Sequence, residues 1–387
     1  NGRTPILKLA YSRFRNDRAL NAFIKRNTQW LPDFTLYMAL KERHGFAPWF
    51  AWEEELKFRE PQVLKEAARE LEEEIRFYSF VQYEFYKQWD ALRKKAKALS
   101  IELIGDVPIY VPYDSVEVWK NPELFQLDED LTPTAVAGCP PDAFTADGQL
   151  WGNPLYRWDA MEEQGYRWWL DRLGSSGKLF DVVRLDHFRG FEAYWSVPYG
   201  DETARNGHWV KGPGMSFVNA LKKGLPQLDF VAEDLGFLTE EVLQLRDDSG
   251  YPGMKVLEFA FDPREPSNYL PDRYPENAIC YTGTHDNETL IQWCEGIDAE
   301  TDAYARSYLG ITAEDDLADA IIEAGMQSKA QLFIMQMQDY LRLGRETRMN
   351  EPGRLLQSNW RWRMLPGAAN EALAQKIAGL TERSNRV

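Results

Sequence analysis

The sequence predicts an α/β fold built on a parallel sheet, of the size of one large barrel-type domain, and three observations predict it. The 387 residues suffice for one such domain or for two ordinary ones, and from residue 101 short apolar runs alternate with helical or loop segments, the pattern of strands joined by right-handed crossovers. The runs are continuously apolar, as parallel strands covered on both faces are. All but the last are followed by polar residues, at the strand ends where α/β enzymes keep their chemistry.

Residues 1–100 read as a helical subdomain. Apolar residues recur at helical spacing through Leu20, Phe23 and Ile24, through Phe34, Leu36, Tyr37 and Leu40, and through Leu71, Ile75, Phe77, Phe80 and Phe85. The charge-rich run Glu53 to Glu74 is a solvated helical face, and Trp30, Trp49, Tyr83 and Trp89 read as packing residues. Residues 101–387 read as the remainder of a catalytic barrel. Candidate strands fall at Ile101 to Ile104, Phe180 to Val183, Leu228 to Ala232, Met254 to Phe259, Ala278 to Tyr281 and Leu332 to Met335. A long insertion at about 107–165, punctuated by Pro108, Pro112, Pro122, Gly138, Pro140, Pro141, Gly148, Gly152 and Pro154, reads as loop with short helices, and such loops inside a domain are usually functional.

A net charge of −16 repels phosphate backbones and anionic bilayers, so nucleic acid and membrane surfaces are poor partners. Three widely spaced cysteines, Cys139, Cys280 and Cys294, suit a reducing compartment and no structural zinc. No apolar run of membrane-spanning length and no signal-peptide pattern is present, so a cytoplasmic protein is expected. The 14 Trp, 18 Tyr and 20 Phe serve a core, a carbohydrate-binding surface, or both.

Chemistry concentrates in DVVRLDHFRG, residues 181–190, where an apolar run leads into Arg184, Asp186, His187 and Arg189. While the chain stays extended, Arg184 and Asp186 share a face, and the guanidinium would hold the carboxylate ionised. Glu233 in FVAEDLG and Asp286 in TGTHDN also follow apolar runs. At successive strand ends of a barrel the three carboxylates would meet at one mouth. A pair of carboxylates flanking a sugar bond is what glycosidic cleavage requires. Glu233 is the better acid, because burial after Phe230, Val231 and Ala232 would raise its pKa, and Asp186 is the ionised partner. Two of the four histidines, His187 and His285, stand beside Asp186 and Asp286. His-Asp pairs also build hydrolytic metal centres, but no paired-ligand signature is present.

Together, RLDHFRGFEAYWSVP, FVAEDLGFLTEEV, GYPGMKVLEFAFD, YTGTHDNET, RMNEPGRLLQSNWRWRM, IGDVPIYV and GCPPDAFTADGQLWGNPLYRW resemble the blocks of the 4-α-glucanotransferases called amylomaltase or disproportionating enzyme, glycoside hydrolase family 77. The likeness runs from about Leu9 to Pro366 and is closest to the plant and cyanobacterial type. It implies a (β/α)8 TIM barrel with helical and loop insertions, and retaining transfer of α-1,4-glucan segments between malto-oligosaccharides, starch or glycogen. It implies a nucleophile at Asp186, an acid/base at Glu233 and a transition-state-stabilising carboxylate at Asp286. Arg184, His187 and His285 match substrate-holding residues; Trp151, Asn153, Phe259 and Asn359 match positions along the sugar subsites; Asp142 lies in the loop expected to cover the site, with Ala143 where some members carry Tyr. No metal and no organic cofactor is implied, and the compartment is the cytoplasm, or a plastid in a plant. Nothing corresponds to the family's first two barrel strands, so six are expected where a closed barrel has eight. The rival readings are a glucan hydrolase, a metal-dependent hydrolase and an inactive glucan-binding fragment.

Overall fold

The computed structural model describes residues 2–141, 145–236, 238–264 and 267–386. The chain divides into two compact units, Asn1–Phe230 and Val231–Val387. Among the described residues no helix is long and apolar enough to cross a membrane.

The first unit opens with helices, among them Asp17–Arg26, Leu31–Arg43 and Glu72–Ala98. Asn16 caps the first by accepting from the Ala19 N–H. The 27-residue helix Glu72–Ala98 carries Glu72, Glu73 and Glu74 in its first turn and Lys95 and Lys97 in its last, charges that oppose the helix dipole. Its apolar face is aromatic: Phe77 packs on Tyr11, Phe80 on Phe14 and Tyr83 on Phe23, at centroid distances of 5.8, 5.0 and 5.8 Å. Near its C-terminal end Trp89 Nε1 donates to Leu179 O at 2.9 Å, and Arg93 pairs with Asp181 at 2.6 Å. Asp181 also accepts the Leu103 N–H at 3.0 Å. One carboxylate therefore ties the helix to the entrances of two strands.

Those strands are β1 (Ile104–Val107) and β4 (Val182–Leu185), paired in parallel with Asp106 opposite Arg184. Both lie later than the apolar runs suggest. The helix before β1 ends with Ser100 at φ +56° and the Ile101 N–H bonded back to Ala96 O. Ile101 thereby terminates a helix and stays exposed, while the strand continues through Gly105 and Asp106, residues that interrupt the apolar pattern.

The insertion at about 107–165 is loop with the short helices Val116–Lys120, Pro122–Leu124 and Trp158–Glu163, as expected, but it also holds two strands that the loop reading omits: β2 (Ala135–Cys139) and β3 (Gln149–Pro154) join β5 (Ala193–Pro198) and β6 (His208–Lys211) in an antiparallel sheet of order β3-β2-β5-β6. Gly138, which read as a loop signal, permits close strand approach, while Gly152 takes a positive φ of +75°. A Cβ on Gly138 would lie 2.4 Å from Gln149 O. The core of this unit contains fully buried Trp169, Phe191 and Phe217, with Phe191 and Phe217 stacked at 4.6 Å and Trp169 edge-on to both at 5.6 and 5.3 Å.

The chain enters the second unit within β7 (Asp229–Ala232). β8 (Gly253–Val256), β9 (Ala278–Tyr281) and β10 (Leu332–Ile334) follow as parallel neighbours, with Ala232 opposite Gly253, Gly253 opposite Ala278 and Leu332 opposite Ile279. Here the expected strands lie close to the observed ones. Helices Leu290–Gly296, Ala299–Leu309 and Leu317–Gln327 pack with the strands around Leu257, Phe261, Cys280, Leu290 and Ile321. Thr289, Asp298 and Asp316 cap the three N-termini, each accepting the N–H three residues on.

Phe191→Ala should destabilise the first unit by about 3–5 kcal/mol, the cost of an aromatic-sized cavity in a close-packed cluster. The shift of the urea midpoint followed by tryptophan fluorescence checks this; a shift near zero would show that the cluster is not a rigid core.

Candidate active site

In the first unit the site is built at the ends of β1 and β4. The parallel register sets Asp106 and Arg184 side by side, and Arg184 Nη1 reaches Asp106 at 2.7 and 2.8 Å and Asp186 Oδ1 at 3.0 Å. Arg184 is only 8% exposed, so its charge is poorly screened by water and polarises both carboxylates. The Arg184–Asp186 pair expected from sequence forms. Asp106, which the sequence places after the first apolar run as a residue suited to a site, pairs with the same guanidinium.

His187 follows in the left-handed region, φ +50° and ψ +50°, a conformation rare for a residue bearing Cβ. Its ring meets Trp151 edge-on at 4.8 Å. Gly190 leaves the room for this, because a Cβ there would lie 2.7 Å from Ile109 Cδ1 and 3.2 Å from the His187 ring. Burial, and secondarily the Arg189 charge, push the His187 imidazole down to about 3, so at neutral pH it is an uncharged ring with one donor and one acceptor. Trp151 lies on β3, 36% exposed, with Nε1 donating to Gln149 Oε1 at 3.1 Å and Tyr110 6.2 Å away. Asn153 lies two residues further along the same strand. Arg184, Asp186, His187 and Trp151 are thus one neighbourhood. Asp142 and Ala143 lie outside the described residues.

In the second unit Glu233, Phe259 and Asp286 follow the C-terminal ends of the adjacent parallel strands β7, β8 and β9. Glu233 is half-buried and accepts the Leu235 N–H at 3.3 Å. The next residue, Asp234, is 1% exposed and anchored, accepting from Arg246 Nη1 at 2.7 Å and from the Met254 N–H at 2.7 Å. Burial raises the Asp234 carboxyl despite these donors. Sequence reasoning passed over Asp234. The signal was available in two adjacent acids after an apolar run, of which one can turn inward.

Asp286 is gripped at three points. Asn350 Nδ2 donates to its Oδ1 at 2.7 Å, Arg348 Nη2 to its carbonyl at 2.8 Å, and its own N–H to Thr284 Oγ1 at 3.3 Å. His285 Nε2 lies 3.5 Å from Asp286 Oδ2, and its ring packs on Trp360 at 5.0 Å. Arg348, Asn350 and Trp360 went unassigned as site residues, although each falls in the RMNEPGRLLQSNWRWRM block. Asn359 is turned to its own loop, donating to Arg354 O at 2.9 Å. Phe259 is exposed, edge-on to Tyr269 at 5.6 Å.

Comparison with known proteins finds relatives of one kind. The family model described as 4-alpha-glucanotransferase, of glycoside hydrolase family 77, matches residues 1–368. A 4-alpha-glucanotransferase of Clostridium butyricum is 44% identical over 385 residues, 98% of this chain and 79% of the relative. That of Aquifex aeolicus is 48% identical over 360 residues, 93% and 74% of the two chains. The solved amylomaltase from Streptococcus agalactiae in complex with acarbose superposes with a TM-score of 0.95 at 38% identity, covering 99% of this chain and 78% of that one.

The low pKa of His187 has a direct spectroscopic consequence. Its ring resonances should remain those of a neutral imidazole from about pH 8 down to about pH 4.5, whereas an unperturbed histidine titrates near ~6.5. A titration of His187 near the ordinary value, assigned by its loss in His187→Gln, would show that the ring is not desolvated.

Proposed function

The chain belongs to the 4-alpha-glucanotransferases of glycoside hydrolase family 77, and from that premise we propose that Asp186, Glu233 and Asp286 divide a retaining double displacement between them. The Asp186 carboxylate attacks the anomeric carbon of a bound α-1,4-glucan. The bond to the glycosidic oxygen breaks, and Glu233 gives its proton to that oxygen as the shortened glucan leaves. The 4-hydroxyl of an incoming glucan then returns a proton to Glu233 and attacks the same carbon, and the ester to Asp186 breaks. Asp286, acting through its carboxylate, stabilises the positive charge that develops on the ring in each step. Arg184 keeps Asp186 oriented, while neutral His187 and the half-exposed His285 hydrogen-bond the sugar hydroxyls.

Family membership over residues 1–368 is the observation that carries this reading; the grip of Arg184 on Asp186 and the triple hold on Asp286 support the assigned roles. Malto-oligosaccharides are the proposed donors and acceptors, with starch or glycogen as their polymeric sources. The cytoplasm is the proposed compartment, in keeping with the wide spacing of Cys139, Cys280 and Cys294. Transfer requires a sugar acceptor to outcompete water, and Trp151, with its face partly open beside His187, suits that task by stacking on the acceptor and excluding solvent.

Incubation with maltotriose, with products resolved by length, should give glucose together with maltopentaose and longer chains. Asp186→Asn should lower this turnover by about a thousandfold or more. Accumulation of glucose and maltose without longer chains would replace the transferase by a hydrolase. Trp151→Ala should raise the ratio of hydrolysis to transfer severalfold, and an unchanged ratio would remove Trp151 from acceptor binding.

A further inference from the structure

Behind the turn that carries His285 and Asp286 lies a carboxyl for which the mechanism above has no use. Glu258 sits in the single turn Leu257–Phe259 that follows β8, 8% exposed. Its N–H donates to Thr282 O at 3.3 Å, and its side chain lies against the turn after β9. A Cβ built on Gly283 would stand 2.6 Å from Glu258 Oε1 and 3.0 Å from Asn287 Cβ. Residue 283 has to be glycine for the carboxyl to lie there.

The Asn287 side chain and the Glu258 carboxyl meet over Gly283, and from Asn287 a chain of hydrogen bonds leads to Asp286. Asn287 Oδ1 accepts from the Thr284 N–H at 3.0 Å and from Thr284 Oγ1 at 2.8 Å, and Thr284 Oγ1 accepts the Asp286 N–H at 3.3 Å. Glu258 Oε1 itself is buried and has no hydrogen-bond partner among the described residues. A neutral acid tolerates this at its carbonyl oxygen, whereas an ionised carboxylate so placed bears a far larger desolvation cost.

We propose that Glu258 is a positioning residue that keeps its proton and, as a neutral carboxylic acid, braces the Gly283–Asn287 turn presenting His285 and Asp286. The groups that face it are Asp339 from the helix Met337–Tyr340, Glu288 from the turn after β9, Arg348, and Cys294 from the helix Leu290–Gly296. Asp339 is committed to Thr282 Oγ1 and the Leu290 N–H, at 2.7 and 2.8 Å. Arg348 is divided among Glu288 at 3.5 Å, Asp286 O at 2.8 Å and Asn350 O at 2.9 Å. Burial, and then the two acidic neighbours, hold the Glu258 carboxyl well above the usual carboxylate range.

The inference rests on the role given to Asp286, and the test separates the two. Glu258→Gln, Glu258→Leu and Asp286→Asn are compared with the parent chain on maltotriose. Glu258→Gln, neutral and isosteric, should keep kcat and KM within about threefold. Glu258→Leu, which fills the space but sets no polar group beside Asn287, should lower kcat about tenfold or more with KM within about threefold, as a misplaced catalytic group does. A thermal series supplies a second readout. The acid binds its proton more tightly in the folded state than in the unfolded one, so its contribution is full below the unfolded value of ~4.3 and is lost as pH rises toward the folded value. The Tm of Glu258→Gln should therefore match the parent near about pH 4 and exceed it increasingly toward alkaline pH.

A folded Glu258→Leu with parental kcat would overturn the positioning role. Glu258→Gln falling as far as Leu, or a Tm difference that does not change with pH, would overturn the retained proton. Full activity in Asp286→Asn would overturn the role of Asp286 and this inference with it, whereas loss there beside an unaffected Glu258→Leu would overturn the inference alone.

Discussion

A single guanidinium holds two carboxylates where β1 and β4 end. Without Arg184, Asp106 and Asp186 would stand at the strand ends as uncompensated like charges. The arrangement depends on register: Asp106 stands beside Arg184 because the two strands pair in parallel at that level. The register has a mechanical origin, since Asp181 accepts from Leu103 ahead of β1 while Arg93 and Trp89 fasten the segment leading into β4. A long aromatic-faced helix thus sets the position of the proposed nucleophile through four residues. A structural helix and a catalytic strand are parts of one device here.

The legible part of this molecule was the part whose pattern is set by burial on both faces. β9 reads correctly because Ala278, Ile279, Cys280 and Tyr281 are all buried. β1 is misplaced because half its residues are glycine and aspartate, chosen for the site and not for the core. The antiparallel sheet was illegible for a related reason. Gly138 and Gly152 and the prolines that bound β2 and β3 are there for close approach and for shape, and they carry the same letters as a loop. Trp89 was readable as packing, but its hydrogen bond to Leu179, ninety residues on, has no trace in local sequence. In the site, Arg184, Asp186, Glu233 and Asp286 stood out as charges after apolar runs. Asp234, Arg348 and Asn350 did not, since what marks them is the partner they meet.

Two of these carboxyls show how the fold assigns different fates to similar groups. Asp234 and Glu258 are both nearly inaccessible, and burial raises both. Asp234 is met by a guanidinium and a backbone N–H at 2.7 Å each, the partners that make a buried charge tolerable. Glu258 meets one amide side chain and two further acids. The first can fix the strand-end geometry just beyond which Glu233 projects; the second can brace a turn only by staying neutral.

His187 completes the argument about charge. Arg184 supplies the positive charge required by Asp106 and Asp186, and Arg189, buried with its guanidinium 3.8 Å from the centre of the Trp209 ring, adds another nearby. A third cation at His187 would compete for the same carboxylates and repel Arg189. Desolvation against Trp151 removes that charge and leaves a ring whose remaining capacity is hydrogen bonding. The left-handed backbone at His187 accompanies a ring set edge-on against the Trp151 indole. On the proposed roles, the strand end separates two tasks, with Arg184 setting charge and His187 offering hydrogen bonds without charge.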